Sequence, residues 1–409
     1  YTWDFGDDLA QLPASGTRVV AWPYLPDWAA GVVERVAYRT DVRRAWDGTE
    51  QRARLREHPR VGLEHEVVAT GAERRRVEAA LHGWQGRAWA VPLWHGVTRL
   101  AAQATAGAGA LAVRDADDRG FGAAGLAVLT DGVYSETVNL ATAAGTTLTL
   151  ASALLATWPA GTRVYPARIM TADGAVARRV HSPEVTRYRL RWQSLDVEAL
   201  WPAADGPDAH RGAPVWDQRP NWQAPLGHES ESLLQTLDPG TGLRAVQDPV
   251  GRPVERLRHR YTRVGRAAVA QLRARLEARR GRWAGCWVPT FARDVEVVAA
   301  FGAADLALDI ALIDYRRYLR GLPGRQDVQV VLADGSRGYA RITDAVVLDA
   351  ATERLTLSAG LGVSGTPATV ARVSWLRWCR LAGDAVELRW PVPEVCEAEV
   401  TWEACDDDV

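Results

Sequence analysis

Apolar and polar positions along this chain follow two periods, and the switch from one to the other occurs twice. In the stretch Val264 to Pro289, Val269, Leu272 and Leu276 recur at i, i+3 and i+7, the spacing of one helix face. Arg279 and Arg280 crowd its last turn, where positive charge suits the helix dipole, and Gly281 stands at a C-cap position. Arg282-Trp283-Ala284-Gly285-Cys286-Trp287-Val288-Pro289 then reads as a short aromatic strand halted by proline. A reduced copy runs from Thr70 to Pro92. Thr70-Gly71-Ala72-Glu73 has capping-box spacing, Val77, Ala80 and Leu81 share a face, Gly83 closes the helix, and Trp84 to Pro92 supplies the tryptophan strand.

Other landmarks recur in the same order. Trp22-Pro23-Tyr24-Leu25-Pro26-Asp27-Trp28 is answered 194 positions later by Trp216-Asp217-Gln218-Arg219-Pro220-Asn221-Trp222. Arg54-Leu55-Arg56 is echoed by Arg256-Leu257-Arg258, and Pro92 by Pro289 at 197. Val128-Leu129-Thr130-Asp131-Gly132 matches Val331-Leu332-Ala333-Asp334-Gly335 at 203, and Asp-Gly after a β-branched run signals a hairpin. Leu148-Thr149-Leu150 matches Leu355-Thr356-Leu357 at 207, and Leu190-Arg191-Trp192 is assigned to Leu388-Arg389-Trp390 at 198. Shared tripeptides mean nothing singly. An ordered series with offsets between 194 and 207 indicates a tandem duplication whose loops have drifted in length.

The expected fold is mainly β with a few helices, an α+β arrangement in which a β-sandwich or barrel unit with one packed helix is duplicated. The expected divisions are an N-terminal arm at 1–21, a first β-rich unit at 22–200, a linker at 201–215, a second unit at 216–402 and an acidic tail at 403–409. The linker rests on the Pro, Gly, Asp and Ala of Pro202 to Pro214, and the tail on Asp406-Asp407-Asp408.

Composition adds less. Formal net charge is −1, so no general field draws the chain to nucleic acid or an anionic membrane, and no contact with either is expected. All 49 basic residues are arginine, which removes any phosphate loop built on Gly-Lys-Ser/Thr. Eighteen tryptophans against four phenylalanines lean toward a protein that assembles. No apolar run reaches the roughly 20 residues of a membrane helix. The start, Tyr1-Thr2-Trp3-Asp4, lacks the basic and apolar regions of a secretory signal.

Candidate chemistry is sparse. Cys286, Cys379, Cys396 and Cys405 form no Cys-x-x-Cys pair and read as free thiols; a cluster gathering all four would need tighter spacing. Glu64-His65-Glu66 is the most suggestive metal triplet, but on a strand its neighbours face opposite ways. Gly240-Thr241-Gly242 reads as a turn rather than a dinucleotide fingerprint. Arg52, Arg54, Arg56 and Arg60, and later Arg256, Arg258, Arg260, Arg273, Arg275, Arg279, Arg280 and Arg282, read first as ion-paired or solvated faces, then as interface residues. Trp22/Trp28 and Trp216/Trp222 belong to core or interface before sugar stacking. The chain therefore reads as a non-enzyme with no catalytic, cofactor-binding or metal-binding residue and no cofactor.

The order of helix, Arg-rich turn, aromatic strand and Pro (Arg279 to Pro289), Asp-Gly hairpin (Asp334-Gly335) and alternating strand (Ala385 to Trp390) resembles the distal tail proteins of long-tailed, non-contractile bacteriophages. Asp47-Gly48-Thr49-Glu50-Gln51-Arg52 and Trp84-Gln85-Gly86-Arg87 also look like tail-tip virion proteins. The resemblance covers about Trp22 to Trp402 and implies a ring-forming, β-rich structural adaptor in the virion tail tip, made in the host cytoplasm. Its implied partners are its own copies, the tail tube protein and the tail-tip hub proteins. Six copies are the favoured ring, and three copies of a duplicated unit would mimic six-fold symmetry. The alternatives are a carbohydrate-binding or glycan-processing protein and a receptor-binding tail-tip subunit.

Overall fold

The computed structural model describes residues 19–45, 48–122, 125–195 and 201–405. Most of the expected N-terminal arm, Trp46-Asp47 and Asp406-Asp407-Asp408 lie outside them. The described chain is mainly β with three helices. Residues 19–33, 61–195 and 390–394 form one compact unit, and 34–60, 201–389 and 395–405 form another. The units are thus not the contiguous halves 22–200 and 216–402: residues 34–60 belong to the second and 390–394 to the first.

In the first unit the strand Arg60–Thr70 pairs antiparallel with Val185–Ser194, from Gly62↔Gln193 to Thr70↔Val185. Its alternation puts Val61, Leu63, His65, Val67 and Ala69 inside. Helix α1 (Gly71–Trp84) follows and buries Val77 and Leu81. The chain then enters a small closed barrel made of Thr98–Arg99, Ala110–Ala112, Thr147–Leu150, Ser135–Ala144, Leu126–Thr130 and the start of Arg163–Ala172. A bridge between Leu100 and Val113 closes it. Closure leaves no open edge to aggregate, and Leu111, Leu129, Val138, Leu140, Leu148 and Val164 fill the interior.

The second unit repeats these ladders residue for residue. Val254–Val264 pairs with Val395–Ala404, from Arg256↔Glu403 to Val264↔Val395. Helix α2 (Arg266–Arg279) follows, burying Val269, Leu272 and Leu276 as its spacing predicts. Its barrel carries bridges Val295↔Val373 and Val297↔Ile310, the second answering Leu100↔Val113 at an offset of 197. Register shifts fall at matched places, between Thr149 and Leu150 and between Ile342 and Asp344. Trp22 donates its backbone N–H to Ala90 (2.9 Å) and Trp216 to Trp287 (2.8 Å); Asp27 donates to Glu66 (2.7 Å) and Asn221 to Arg260 (2.6 Å). Trp28 and Trp222 therefore follow matched backbone positions, although Trp28 is half-buried and Trp222 is exposed.

Six local readings change. The counterpart of Arg256-Leu257-Arg258 is Gly62-Leu63-Glu64 and not Arg54-Leu55-Arg56, and Val128 answers Gln329 rather than Val331, because short shared peptides slide by a few positions where loops differ in length. Trp192 faces Leu63 and Ala172 as Trp402 faces Leu257 and Leu381, so the counterpart of Leu190-Arg191-Trp192 is Val400-Thr401-Trp402. Leu388 and Trp390 are also buried on an alternating strand, and alternation alone cannot tell two adjacent strands apart. Helix α1 runs past Gly83 to Trp84 and has no side-chain cap at Thr70, because Thr70 still belongs to the preceding strand. Residues 201–215 are packed rather than a free linker: Trp201, Ala213 and Val215 are buried, and Nε2 of His210 lies 2.7 Å from Asp327. Glu403 and Ala404 close the last strand, so the acidic tail begins beyond them.

One difference between the units is electrostatic. In the first, Glu64 accepts from Arg189 and Arg191 (Nε–Oε2 2.8 Å for Arg191). In the second the signs are exchanged: Glu399, opposite Arg260, accepts from Arg258 and Arg260 (2.8 Å for Arg260).

Trp22 and Trp216 anchor equivalent cores, Trp22 against Trp192 (ring centroids 5.0 Å) and Trp216 against Trp402 (4.6 Å). Replacing either with alanine is expected to cost about 3–5 kcal/mol in chemical denaturation. Trp222→Ala should change stability by no more than about 0.5 kcal/mol.

Candidate functional site

The second unit is completed by a segment from the first repeat. Thr40–Arg44 and Glu50–Arg54 form a hairpin in which Asp41 faces Ala53 and Arg43 faces Gln51. Its Glu50 side chain is 1% exposed and lies against Arg380, 4% exposed, on the strand Val370–Leu381. Arg380 donates both Nε and Nη2 to Glu50 (2.7 Å each), and Nη2 also reaches Glu403 (3.0 Å). Arg44 donates to Glu50 and Glu403 (2.7 Å each), so two guanidinium groups and two carboxylates share one packed cluster. Burial would raise the Glu50 carboxyl, but hydrogen bonds and charge from Arg380 and then Arg44 outweigh it and hold it down to about 2.

The approach to this cluster is fixed at three further points. Glu34 accepts a two-pronged bond from Arg273 (2.6 and 2.8 Å), buried in α2. Asp384 accepts from the backbone N–H groups of Thr40 (2.8 Å) and Arg282 (2.9 Å), and Tyr38 donates its hydroxyl to Glu277. Gly281 has φ +68°, and a Cβ there would meet Asp384 Oδ1 at 2.6 Å and Tyr38 Cβ at 2.9 Å. Glycine is required for this close approach as well as for the left-handed turn that ends α2. Arg54 stacks over Trp283 at 5.2 Å.

Residues 228–254 are the counterpart of 34–60, with the same length and a constant offset of 194. Gln235–Leu237 and Ala245–Gln247 form its hairpin with pairs 235↔247, 236↔246 and 237↔245, which are 41↔53, 42↔52 and 43↔51 shifted by 194. Unlike the first hairpin, every residue of both strands is exposed. Leu234, Leu237, Leu243 and Val246 are among the exposed apolar side chains, Leu237 by 72% and Leu243 by 96%.

The other candidates separate. Glu64 and Glu66 face outward into arginine pairs while His65 faces inward, as strand alternation requires. His65 and its counterpart His259 are both buried, and burial pushes each down to about 3. The four cysteines are free and buried; burial raises Cys286 and Cys405 to about 11, Cys396 to about 12, and Cys379 well above its usual value. Among the described residues no group of three or more His, Cys, Asp or Glu could hold a metal ion. Arg256, Arg258 and Arg260 pair with Glu403 and Glu399, Arg275 with Asp217, Arg279 with Asp205 and Arg282 with Asp384. Gly240-Thr241-Gly242 is the loop between the strands of the bare hairpin. In the first unit a cleft of about 520 Å³ is lined by Trp28, Tyr165, Arg99, Arg114 and Arg163. Arg119 is held beside it by Asp115 (2.7 Å). No helix among the described residues is long and apolar enough to cross a membrane.

Sequence reading reached Glu50 only inside a motif and missed Arg380 and Glu403 altogether. The available signal was the unbroken offset of 194 from Trp22 to Arg60, which marks the whole 34–60 segment as part of the repeat. No protein-family model matches the chain, and no curated protein sequence matches it.

Glu50→Gln should favour local opening of 40–54 at least tenfold, about 1.4 kcal/mol, because Arg380 loses its closest charge. Amide hydrogen exchange over these residues reads the effect. The depressed Glu50 carboxyl contributes stability that is complete above about 4.5 and lost as pH falls toward 2, so the same amides should lose protection in that window. The two histidines act at higher pH: neutral when folded, they favour the unfolded chain as pH drops below 6.5 toward 3. Denaturant midpoints of a His65→Leu, His259→Leu double variant should fall less steeply over that range than those of the parent.

Proposed function

We propose that this chain is a structural subunit of a closed ring, the distal tail or baseplate adaptor that joins tail tube to tail-tip complex in a long-tailed, non-contractile bacteriophage. The observation that carries the reading is the duplicated unit whose second copy is completed by a segment of the first repeat. A segment seated in a unit of a different repeat is a heterologous contact, the kind that generates rings when its rotation closes. Two related units per chain let three copies supply six equivalent positions, and six copies supply two stacked layers. The matched registers support this, since equivalent positions in a ring need equivalent folds.

A second reading draws on the cleft beside Trp28. An aromatic face flanked by Arg99, Arg114 and Arg163 suits an acidic saccharide, which would make the chain a glycan-binding tail-tip protein.

Native mass spectrometry of the purified chain is expected to give a closed species of three or six copies, and imaging of assembled particles should place it at the tail tip. A chain that stays monomeric at about 100 µM and is missing from virions would overturn the ring reading. Saturable binding of a carboxylated oligosaccharide, abolished by Trp28→Ala, would favour the second.

A further inference from the structure

We propose that the exposed hairpin within residues 232–250, whose flanks are strand-paired in their own unit, docks on the first unit of a second copy of this chain, in the seat that corresponds to the one holding residues 34–60 in the second unit. The inference deepens the ring reading by naming its contact, and it rests on that reading only for closure. A head-to-tail series joined the same way could also remain open.

The receiving face follows from register. Met170↔Ser194 corresponds to Cys379↔Ala404, so Arg380, Glu403 and Cys405 have Thr171, Gln193 and Leu195 as counterparts. The backbone agrees: Leu195 donates its N–H to Ile169 (2.9 Å) as Cys405 does to Trp378 (2.9 Å). In the second unit this face is covered. Cys405 is 9% exposed and its Sγ lies 3.8 Å from Glu50. Among the described residues this face is more open in the first unit: Leu195 is 56% exposed and Trp84, at the end of α1, 40% exposed, while Thr171 and Gln193 are half-buried and Gln193 donates to the Val61 carbonyl (3.2 Å).

Donor and acceptor have changed together. Where the first hairpin has Thr40, Arg43, Thr49 and Arg52, the second has Leu234, Leu237, Leu243 and Val246. Where the charged seat has Arg380, Glu403 and Cys405, the other has Thr171, Gln193 and Leu195. An ionic hairpin sits in an ionic seat, and an apolar hairpin has a neutral, partly apolar seat to match. Overall charge also inverts: residues 34–60 hold eight arginines against five acids, while 228–254 hold four acids against two arginines. Arg87, stacked over Trp84 at 4.8 Å, offers a cation at the more open face. Exposed apolar side chains are ordinary singly, but four on one hairpin mark a contact surface. Among the described residues each chain offers one exposed hairpin and one open seat, so copies join head to tail.

The test is a directed disulfide. Glu50 neighbours Cys405 in the filled seat, so their counterparts are the pair to link: Arg244→Cys in one tagged chain and Leu195→Cys in another. The native thiols are buried and held in the neutral form, which leaves them slow to compete. Mixing and mild oxidation should give an interchain disulfide between positions 244 and 195, identified by peptide mass spectrometry. Replacing 232–250 with a short Gly-Ser turn should lower the assembly to a monomer and leave the melting temperature within a few degrees, since the hairpin is exposed. Oligomers of unchanged copy number after that deletion, or mixed cysteine variants that assemble yet give no 244–195 link on oxidation, overturn this inference and leave the ring reading standing. Linked copies that never close into a ring overturn the ring reading and leave the inference standing. In a chain carrying both substitutions, a 244–195 disulfide formed within that single chain overturns the inference as well.

Discussion

The cluster of Glu50, Arg380, Arg44 and Glu403 is the constraint on which the rest depends. Charges taken out of water lose hydration worth several kcal/mol each, and only close, multiply hydrogen-bonded partners recover it. Such a cluster adds little to stability compared with an apolar replacement. It does reject wrong partners sharply, because a hairpin lacking Glu50 would leave Arg380 with a smaller share of negative charge. The exchange of 34–60 into the second unit is therefore specified more than it is strengthened. Val36 and Tyr38 line one apolar crevice with Leu276, Leu381 and Leu388, and the ions decide which segment belongs there.

Duplication explains how such a specified contact could diverge. Both copies of the segment kept their length and strand register, so the backbone path was preserved while side chains changed. The first carries an ionic face and the second an apolar one. The seats differ in parallel, with Arg380 and Glu403 in one unit and Thr171 and Gln193 in the other. At Gly281, against the seated segment, neighbouring atoms leave no room for a methyl group, whereas at Gly83 and Gly86, near the end of α1, nothing lies within 4 Å.

Much of the fold could be read directly from the residues. Val269, Leu272 and Leu276 gave the helix face, Asp-Gly steps gave hairpins, and ordered tryptophan landmarks gave the duplication. These signals are local, and local periodicity survives without knowledge of the rest of the chain. The assignment of Trp390 in place of Trp402 failed because two alternating strands carry the same signal. The packed state of 201–215 was hidden because Pro and Gly mark turns whether or not the segment is buried. The ionic seat was illegible because Glu50 and Arg380 are 330 positions apart, and no period connects them.

The exchanged charges on the paired strands bear on how a chain of two like repeats sorts itself while folding. Were Arg60–Thr70 to join Val395–Ala404 in the native alignment, Glu66 would lie opposite Glu399. Were Val254–Val264 to join Val185–Ser194, Arg258 would meet Arg191 and Arg260 would meet Arg189. Like charges placed directly across a ladder repel, so both crossed products are penalised on the very strands that carry nine matched pairs each. The inverted signs thus act as a polarity key on these ladders, keeping each long strand with its own partner even though residues 34–60 are exchanged.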